Sequence, residues 1–365
     1  MPATPKADSP FSDVVSGSAA AAELAHNALP ATHPTAIFHM MSFVFRFLCA
    51  LFAGVLVAGA HAQAPERIVF ATDWLAQAEH GGYYQALAEG TYRKYGLDVT
   101  IRMGGPQVNG LQLLAARQLD VAMADALQVL SAVEHKVPLV AIAATFQKNP
   151  TVIIAHPGIA KLEDLKGRPI AVAAASNTTF WPWLKAKFGF TDSQKRPYAF
   201  SVQPFLVDRN LAQQGFATSE PFSIEKAGVQ PVVFLLAEEG YPPYSEVLVV
   251  TRNTLSRRAD ALKRFVRASA EGWKSYLANP APANALIKRD NPQMSDELLA
   301  YGHRKMVEHA IVTGTDTATA GLLTMTDLRW RQTIDFLKNV GLAKPNVDYG
   351  SAFTLSIIRD VKVLP

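Results

Sequence analysis

The stretch "RIVFATDWLAQAEHGGYYQALAEGTYRKYGLDVTI", residues 67–101, contains a strand–helix–strand pattern. Residues 67–74 are apolar enough for a buried strand, and residues 81–96 have helical spacing and end at a glycine. Residues 97–105 return to a strand pattern. A unit of this kind predicts two parallel strands with the connecting helix packed on one face of the sheet.

The alternation of strands and helices continues in two cycles, the second of which begins near residue 151. We therefore predict two α/β units, each a mostly parallel sheet flanked by helices, joined by extended crossings near residues 146–152 and 245–250. One segment of the second unit, residues 198–206, is predicted to be a strand. Beyond residue 254 the pattern is helical, and this C-terminal segment is expected to pack on the first unit. The predicted C-terminal helices are 254–278, 280–290, 295–309 and 324–340.

Composition and charge restrict the function. The chain has 365 residues, 49% of them hydrophobic, which is enough for one large core or two ordinary ones. The net charge of +4 is scattered, and no basic run is dense enough for a nucleic-acid surface. The single cysteine, Cys49, lies in an N-terminal leader. A mature chain without cysteine excludes disulfides, thiolate catalysis and cysteine-based metal sites.

Residues 40–62 are typical of a signal peptide. Arg46 precedes the uncharged apolar run 47–60, and Ala60-His61-Ala62 is a small-x-small cleavage site. The run is shorter than the roughly 20 apolar residues of a membrane span, although an N-terminal anchor is the alternative. We expect cleavage near Ala62 and a periplasmic protein. Residues 1–39 are expected to be a disordered, over-extended N-terminus ahead of a true start at Met40 or Met41.

Candidate ligand-binding residues of the first unit follow its strands, because ligands of open α/β sheets bind beyond the carboxyl ends of the strands. Asp73 and Trp74 close the first strand, and His80, Gly82 and Tyr83 begin the next helix. The free N–H groups at that helix start could accept a polar ligand. Asp125, which ends a later strand, could accept from a ligand N–H group. The alternatives are an interdomain core for the aromatic residues and helix capping for His80 and Asp125.

The second unit supplies a comparable set. Ser176, Asn177 and Thr178 precede a helix that carries Trp181 in its first turn, where Pro182 is tolerated. A planar ligand could stack on Trp181 while its heteroatoms meet the polar groups. Glu220, beside Pro221, could accept hydrogen bonds from an amino or ring N–H group. The alternatives are core packing for the aromatic residues and a helix-capping acid at the surface for Glu220.

Catalytic and metal-binding motifs are missing from the sequence. There is no GxSxG, HExxH, Walker or post-strand GxGxxG motif, and the nine histidines are dispersed. We predict a protein that is not an enzyme and has neither a cofactor nor a metal site.

Several segments together resemble the periplasmic substrate-binding proteins of bacterial ABC importers. They are "DWxxxxxHGGYYxAxxxGxYxKYGLDVTI", "LAARQLDVAMADA", "LEDLKGRPIAV" and "SEPF". The resemblance is to the branch with sulfonate, taurine, nitrate and thiamine-pyrimidine-precursor binders. It implies a two-lobed type II fold that closes about a hinge, with residues 63–148 and 249–365 in lobe one and 149–248 in lobe two. It also implies a small-molecule ligand, a permease and an ATPase as partners, and a monomer.

The ligand is expected to be a neutral or weakly cationic planar heterocycle, pyrimidine-like, because the candidate residues are aromatic rings and carboxylates. Stacking on Trp74 and Trp181 would supply apolar contact, and Asp125 and Glu220 would set orientation. One alternative is an alkanesulfonate, taurine or similar anion held by the helix N-termini at Gly82 and Thr178. Another is a pyrimidine-related enzyme, for which the selected segments lack a lysine.

Overall fold

A computed structural model describes residues 64–105 and 108–365 of the chain. The predicted N-terminal extension and signal peptide lie outside the described residues, as do Pro106 and Gln107.

The described residues form ten strands and twelve α-helices, with short 3₁₀ turns between them. The strands are β1 Glu66–Ala71, β2 Leu97–Arg102, β3 Val121–Ala124, β4 Leu139–Phe146, β5 Thr151–Ala155, β6 Ile170–Val172, β7 Lys195–Pro197, β8 Ala212–Phe216, β9 Val232–Leu235 and β10 Ser245–Thr251. The helices are α1 Gly81–Ala88, α2 Thr91–Lys94, α3 Gly110–Ala115, α4 Ala126–Glu134, α5 Phe180–Phe188, α6 Gln203–Val207, α7 Glu220–Lys226, α8 Arg252–Ala278, α9 Ala281–Asp290, α10 Asp296–Glu308, α11 Thr317–Ala320 and α12 Asp327–Asn339.

The strands form two five-stranded mixed sheets, in the orders β2-β1-β3-β10-β4 and β7-β6-β8-β5-β9. In the first sheet β1 is parallel to β2 and β3, with Glu66 opposite Leu97 and Ala71 opposite Arg102, whereas β10 is antiparallel to β3 and β4. In the second sheet β6 is parallel to β7 and β8, and β5 is antiparallel to β8 and β9. Each sheet with its helices forms one lobe, which confirms the predicted two-lobed α/β fold.

The chain crosses between the lobes twice. It leaves the first sheet after β4 and enters the second at β5, and it returns from β9 to β10. The chain rejoins the first sheet at Ser245, where β10 begins. This position precedes the predicted lobe boundary between residues 248 and 249. Glu246 in this strand has a φ of 56°, which is uncommon for a residue with a side chain.

Helix packing in the first lobe depends on small residues. A Cβ atom on Gly82 of α1 would lie 2.2 Å from the Trp273 ring, and one on Gly272 would lie 2.2 Å from the Gly82 carbonyl oxygen. The glycines therefore allow α1 and α8 to pack closely. The helical interpretation of the C-terminal segment is confirmed by α8, α9, α10 and α12. No helix of the described residues is both long and apolar enough to cross a membrane.

The strand predicted at residues 198–206 is wrong, because this segment contains α6 instead. Pro204 lies in the first turn of α6, where its missing N–H group costs no hydrogen bond. The second sheet gains β8 instead, a strand that the sequence pattern did not indicate. Its sequence "AQQGF" carries two consecutive glutamines, and Gln213 is nevertheless buried.

Candidate ligand-binding site

A cavity of about 500 Å³ lies between the two lobes. The lining residues of lobe one follow β1 or begin β10, and those of lobe two come from residues 198–202, β8 and α7. The main lining residues are Asp73, Trp74, Gln77, Glu79, His80 and Glu246 from lobe one, and Tyr198, Phe200, Gln214, Phe216, Ser219 and Glu220 from lobe two. Both lobes therefore contribute polar and aromatic groups to one space.

The turn after β1 is fixed by backbone and side-chain hydrogen bonds. The Thr72 hydroxyl donates to the Trp74 carbonyl oxygen at 2.7 Å, and the Gly104 amide donates to the same oxygen at 3.1 Å. A Cβ atom on Gly104 would lie 2.5 Å from the Asp73 carbonyl carbon, so only glycine allows this approach. These contacts hold Asp73 and Trp74 at the cavity.

The cavity is acidic. Four of its lining residues are carboxylates, namely Asp73, Glu79, Glu220 and Glu246, and no lysine or arginine of the described chain is among the residues that line it. An anion placed here would meet like charges without a lysine or arginine of the described lining to compensate them. Ligand N–H groups would instead find acceptors.

Asp73 and His80 form the polar contact at the centre of the lobe-one wall. His80 Nε2 lies 3.1 Å from Asp73 Oδ1, and the His80 side chain is buried whereas that of Asp73 is about one-third exposed. Burial opposes ionisation of the Asp73 carboxyl group, but its hydrogen bond to His80 and the charge of His80 lower its pKa below the usual value. Asp73 is therefore an ionised acceptor at neutral pH.

Glu220, at the start of α7, has its acceptor positions occupied by neighbouring donors. Its Oε1 accepts from the Tyr198 hydroxyl at 2.7 Å. Its Oε2 accepts from the Phe216 amide at 2.8 Å and from the Ser219 hydroxyl at 2.5 Å. These contacts fix the carboxylate in the lobe-two wall.

Two contacts connect the lobes across the edge of the cavity. The Thr218 hydroxyl of lobe two donates to the buried Glu79 carboxyl group of lobe one. The Trp74 ring lies 5.0 Å from the Phe200 ring, centroid to centroid. Phe200 is 55% exposed and has a φ of 55°, an unusual backbone conformation for a bulky residue. The lobes are thus in contact beside the cavity.

Asp125 lies behind this wall as the N-cap of α4. Its Oδ1 accepts from the Leu127 amide at 2.8 Å, and the Gln128 side chain accepts from the Asp125 amide, which completes a capping box. Burial, opposed by the Leu127 hydrogen bond and reinforced by the charge of Asp73, raises the pKa of Asp125 to about 7. Asp125 is not one of the residues that line the cavity.

Two other predicted residues of lobe one lie in the helix-packing region. Gly82 faces Trp273 of α8, as described above. Tyr83 is fully buried, and its hydroxyl is hydrogen bonded to the Thr145 hydroxyl. The structure does not bring either residue to the cavity, although both adjoin the helix start that follows His80.

The predicted residues 176–181 of lobe two are also separated from the cavity. The buried Ser176 hydroxyl donates to Gln214 Oε1 at 2.6 Å, so Ser176 contacts a cavity residue without lining the cavity. Asn177 and Thr178 donate to the carbonyl oxygens of their own turn and are exposed. The Trp181 side chain is 1% exposed in the lobe-two core, and its Nε1 donates to Asp192 Oδ1 at 2.8 Å.

The sequence interpretation omitted several residues that line the cavity. Tyr198 and Phe200 were hidden by the wrong strand prediction, and Gln214 lies in the strand that was not predicted. Glu246 belongs to the second predicted crossing, where an acidic residue before the apolar run "VLVV" was the available signal. Glu79 lies one residue before His80, in a segment that was already selected.

Two α/β lobes around a polar cavity define a two-lobed binding-protein architecture. Residues 77–283 match the family described as NMT1/THI5 like. The chain belongs to the NMT1/THI5-like family. Within the residues that the structure describes, no group of three or more histidine, cysteine or acidic side chains is arranged to hold a metal ion.

Known proteins resemble this chain in sequence or in fold. The riboflavin-binding protein RibY of Chloroflexus aurantiacus is 24% identical over 303 residues, 79% of this chain and 85% of RibY. The periplasmic aliphatic sulphonate binding protein SsuA of Escherichia coli is 14% identical, with a TM-score of 0.61 over 79% of this chain and 91% of SsuA. The ligand binding component of an ABC-type import system from Staphylococcus aureus is 12% identical, with a TM-score of 0.59 over 81% and 99% of the two chains.

The family and the fold agree with the predicted resemblance. The chain belongs to the NMT1/THI5-like family and has the two-lobed fold of periplasmic binding proteins.

Proposed function

We propose that this protein captures a small planar heterocycle bearing N–H groups, pyrimidine-like in chemistry, and delivers it to the permease and ATPase of an ABC importer. The observation that supports this ligand class is the composition of the cavity. It has four carboxylates and the aromatic rings of Trp74, Tyr198, Phe200 and Phe216, without a lysine or arginine among the described lining residues. RibY, a relative named for binding riboflavin, also has an aromatic heterocycle as its ligand.

The chemistry follows from the cost of burying polar groups. A sulfonate in this cavity would lose its hydration and meet carboxylates, which is unfavourable. Ligand N–H groups could donate to the carboxylates, and a planar ring could stack on aromatic side chains. The anion alternative has little support, because Gly82 packs against Trp273 and Thr178 is exposed away from the cavity.

The mechanism we propose is closure of the lobes on the ligand. The contacts Trp74–Phe200 and Glu79–Thr218 join the lobes beside the cavity and belong to the closed state. A ligand that touches both walls interacts with more groups in the closed state than in the open state. It therefore shifts the population toward closure, which is the state that an importer would recognise.

The remaining assignments are part of the same proposal. We propose a periplasmic monomer cleaved near Ala62, with the two predicted hinge crossings and with lobe one resuming at Ser245, where β10 begins. Asp73, Trp74, His80 and Glu220 are the predicted site residues that also line the cavity. Ser176 would act indirectly, because its hydroxyl donates to Gln214, which lines the cavity.

Native mass spectrometry of residues 63–365, purified from a bacterial periplasm without refolding, tests the proposal. We expect a bound compound of low mass that absorbs in the near ultraviolet. A sulfonate or inorganic anion in its place would contradict the ligand class. If the protein is recovered without a ligand, pyrimidines, flavins and sulfonates are screened by thermal shift. Stabilisation by sulfonates alone would also contradict the ligand class.

A charge-reversal pair provides the matched control. Glu220→Lys places a cation in the lobe-two wall of the cavity, whereas Glu225→Lys makes the same change at an exposed position of the same helix. We expect the Glu225 variant to retain the heterocycle and the Glu220 variant to lose it, with both variants folded by circular dichroism. A Glu220 variant that gains affinity for the heterocycle would contradict the acidic recognition.

A further inference from the structure

Glu246, at the start of β10, is a buried carboxyl group of the cavity wall that forms no ion pair with the described residues. Its side chain is 4% exposed and lines the cavity, and its backbone has a φ of 56° inside a strand. Strained backbone of this kind persists only where the surrounding structure enforces it, and it is concentrated at functional sites. The conformation places a carboxyl group at the end of the cavity beside the hinge.

The buried oxygen of Glu246 has no donor among the residues that the structure describes. Glu246 Oε2 is buried without a hydrogen-bond partner among the described residues, and so is Nδ1 of the neighbouring cavity residue His80. A buried polar atom without a partner is costly, and native structures contain few of them. Unpartnered atoms on two cavity-lining residues point to a polar ligand that supplies the missing groups.

The groups that face Glu246 are mainly acidic. The carboxyl groups of Asp73, Asp125 and Glu79 act on it, and the charge of Asp73 has the largest effect of the three. The Tyr83 hydroxyl also lies within its electrostatic reach, and His80 is hydrogen bonded to Asp73. Burial, followed by the charge of Asp73, raises the pKa of Glu246 well above its usual value.

Asp73 and Glu246 line the same cavity. Two neighbouring carboxyl groups cannot both be charged at little cost, and such a pair tends to retain one proton. A positively charged N–H group of a ligand could satisfy both carboxylates at once, since a cation removes the repulsion that retains the proton. No lysine or arginine of the described chain lines the cavity to neutralise the pair instead.

We propose that the Asp73–Glu246 pair binds a protonated nitrogen of the ligand in exchange for the proton that the pair holds in the empty cavity. The inference rests on the proposed function and narrows its ligand to heterocycles with an amino or amidine group that is charged at neutral pH. The exchange is balanced: one ammonium or amidinium group enters, one proton leaves to solvent, and the charge of the complex matches that of the empty protein. Affinity for such a ligand should therefore rise with pH until the ligand itself loses its proton.

Isothermal titration calorimetry with a matched pair of compounds tests the exchange. The probes are 4-(aminomethyl)pyrimidine, which is cationic at pH 7, and 4-(hydroxymethyl)pyrimidine, its neutral counterpart. We expect the wild-type protein to prefer the amine by about tenfold, because charge-assisted hydrogen bonds are roughly twice as strong as neutral ones. Titrations in phosphate and in Tris, which differ in ionisation enthalpy, should give a release of close to one proton for the amine and none for the alcohol.

Glu246→Gln keeps the size of the side chain but cannot ionise. We expect this variant to bind both compounds without proton release, because the ionised Asp73 carboxylate remains as an acceptor for the amine. Glu220→Gln is the comparison, because that carboxylate already accepts from three donors of the protein; its affinity can change, but proton release on amine binding should persist.

The outcomes separate the two proposals. Wild-type protein that binds both compounds equally, or that releases no proton with the amine, overturns the exchange and leaves the heterocycle assignment intact. Retention of the proton release in the folded Glu246→Gln variant has the same effect. Wild-type protein that binds neither compound, and that carries a sulfonate by mass spectrometry, overturns the proposed function and the exchange together.

Discussion

Two loops of this protein contain similar kinds of residue but place their tryptophans differently. Residues 72–84 follow β1 and residues 173–185 follow β6, and each loop combines polar groups, a tryptophan and the start of a helix. The first brings Trp74 to the cavity between the lobes. The second directs Trp181 into the core of its own lobe.

The difference arises from the position of each tryptophan between its strand and its helix. After β1, a turn held by Thr72 and Gly104 projects Trp74 before α1 begins at Gly81. After β6, one 3₁₀ turn leads directly into α5, and Trp181 is the second residue of that helix. A residue inside the first turn takes the direction set by helix packing, whereas a residue in an extended turn can project from the end of the strand.

Trp181→Ala should have the largest effect in this comparison, and the effect should be on stability. The side chain is 1% exposed, packs near Phe190 and donates to Asp192. Truncation of a buried tryptophan costs about 3–5 kcal/mol of unfolding free energy. Urea denaturation followed by circular dichroism measures this cost. A variant of wild-type stability with weakened ligand binding would instead return Trp181 to the site, as the sequence suggested.

Trp74→Ala should have a smaller effect, and on binding. The ring is partly exposed and contacts Phe200 across the cavity edge. Loss of aromatic contact with a planar ligand should weaken binding by about tenfold, while the unfolding free energy changes by less than about 1 kcal/mol. Titration of the compound identified by mass spectrometry measures the first quantity and urea denaturation the second. The reverse result, unchanged affinity with a large loss of stability, would make Trp74 a structural residue.

The sequence predicted the fold better than the site. The strand–helix–strand unit, the two crossings and the C-terminal helices could be identified because hydrophobic periodicity and glycine or proline boundaries are local signals. The prediction for residues 198–216 was wrong for two reasons. The apolar residues of the segment suit either a strand or a helix, and the consecutive glutamines of β8 are not typical of a strand inside a sheet.

Site prediction from strand ends was partial for a related reason. The rule selected Asp73, Trp74 and Glu220, which line the cavity, because it depends on the order of elements along the chain. It could not indicate the direction of a side chain inside a helix start, which depends on the core that the helix covers. Nor could it indicate Glu246, whose position depends on an unusual φ at the start of a strand.

The carboxyl groups of Asp125 and Asp192 have pKa values that are shifted in opposite directions. Asp125 lies behind the cavity wall that carries Trp74, and burial raises its pKa to about 7. Asp192 binds the Trp181 indole, and hydrogen bonds from Lys185, then Lys195, then Trp181 lower its pKa. The two carboxyl groups should therefore change the stability of the protein with pH in opposite directions.

Asp125→Asn should stabilise the protein in a pH-dependent manner, since asparagine also caps a helix. Between pH 4 and about 7 the unfolded chain loses the Asp125 proton while the folded protein retains it, so wild-type stability falls as pH rises across that window. The melting temperature of the variant should equal that of the wild type at pH 4 and exceed it by about 2–4 °C at pH 8. Asp192→Asn should instead destabilise at neutral pH, with the difference lost as pH falls, because the ionised carboxylate is the stabilised form there. If the Asp125 difference is independent of pH, that carboxyl group ionises freely in the folded protein, and the acidic wall behind Trp74 is less protected from solvent than its burial implies.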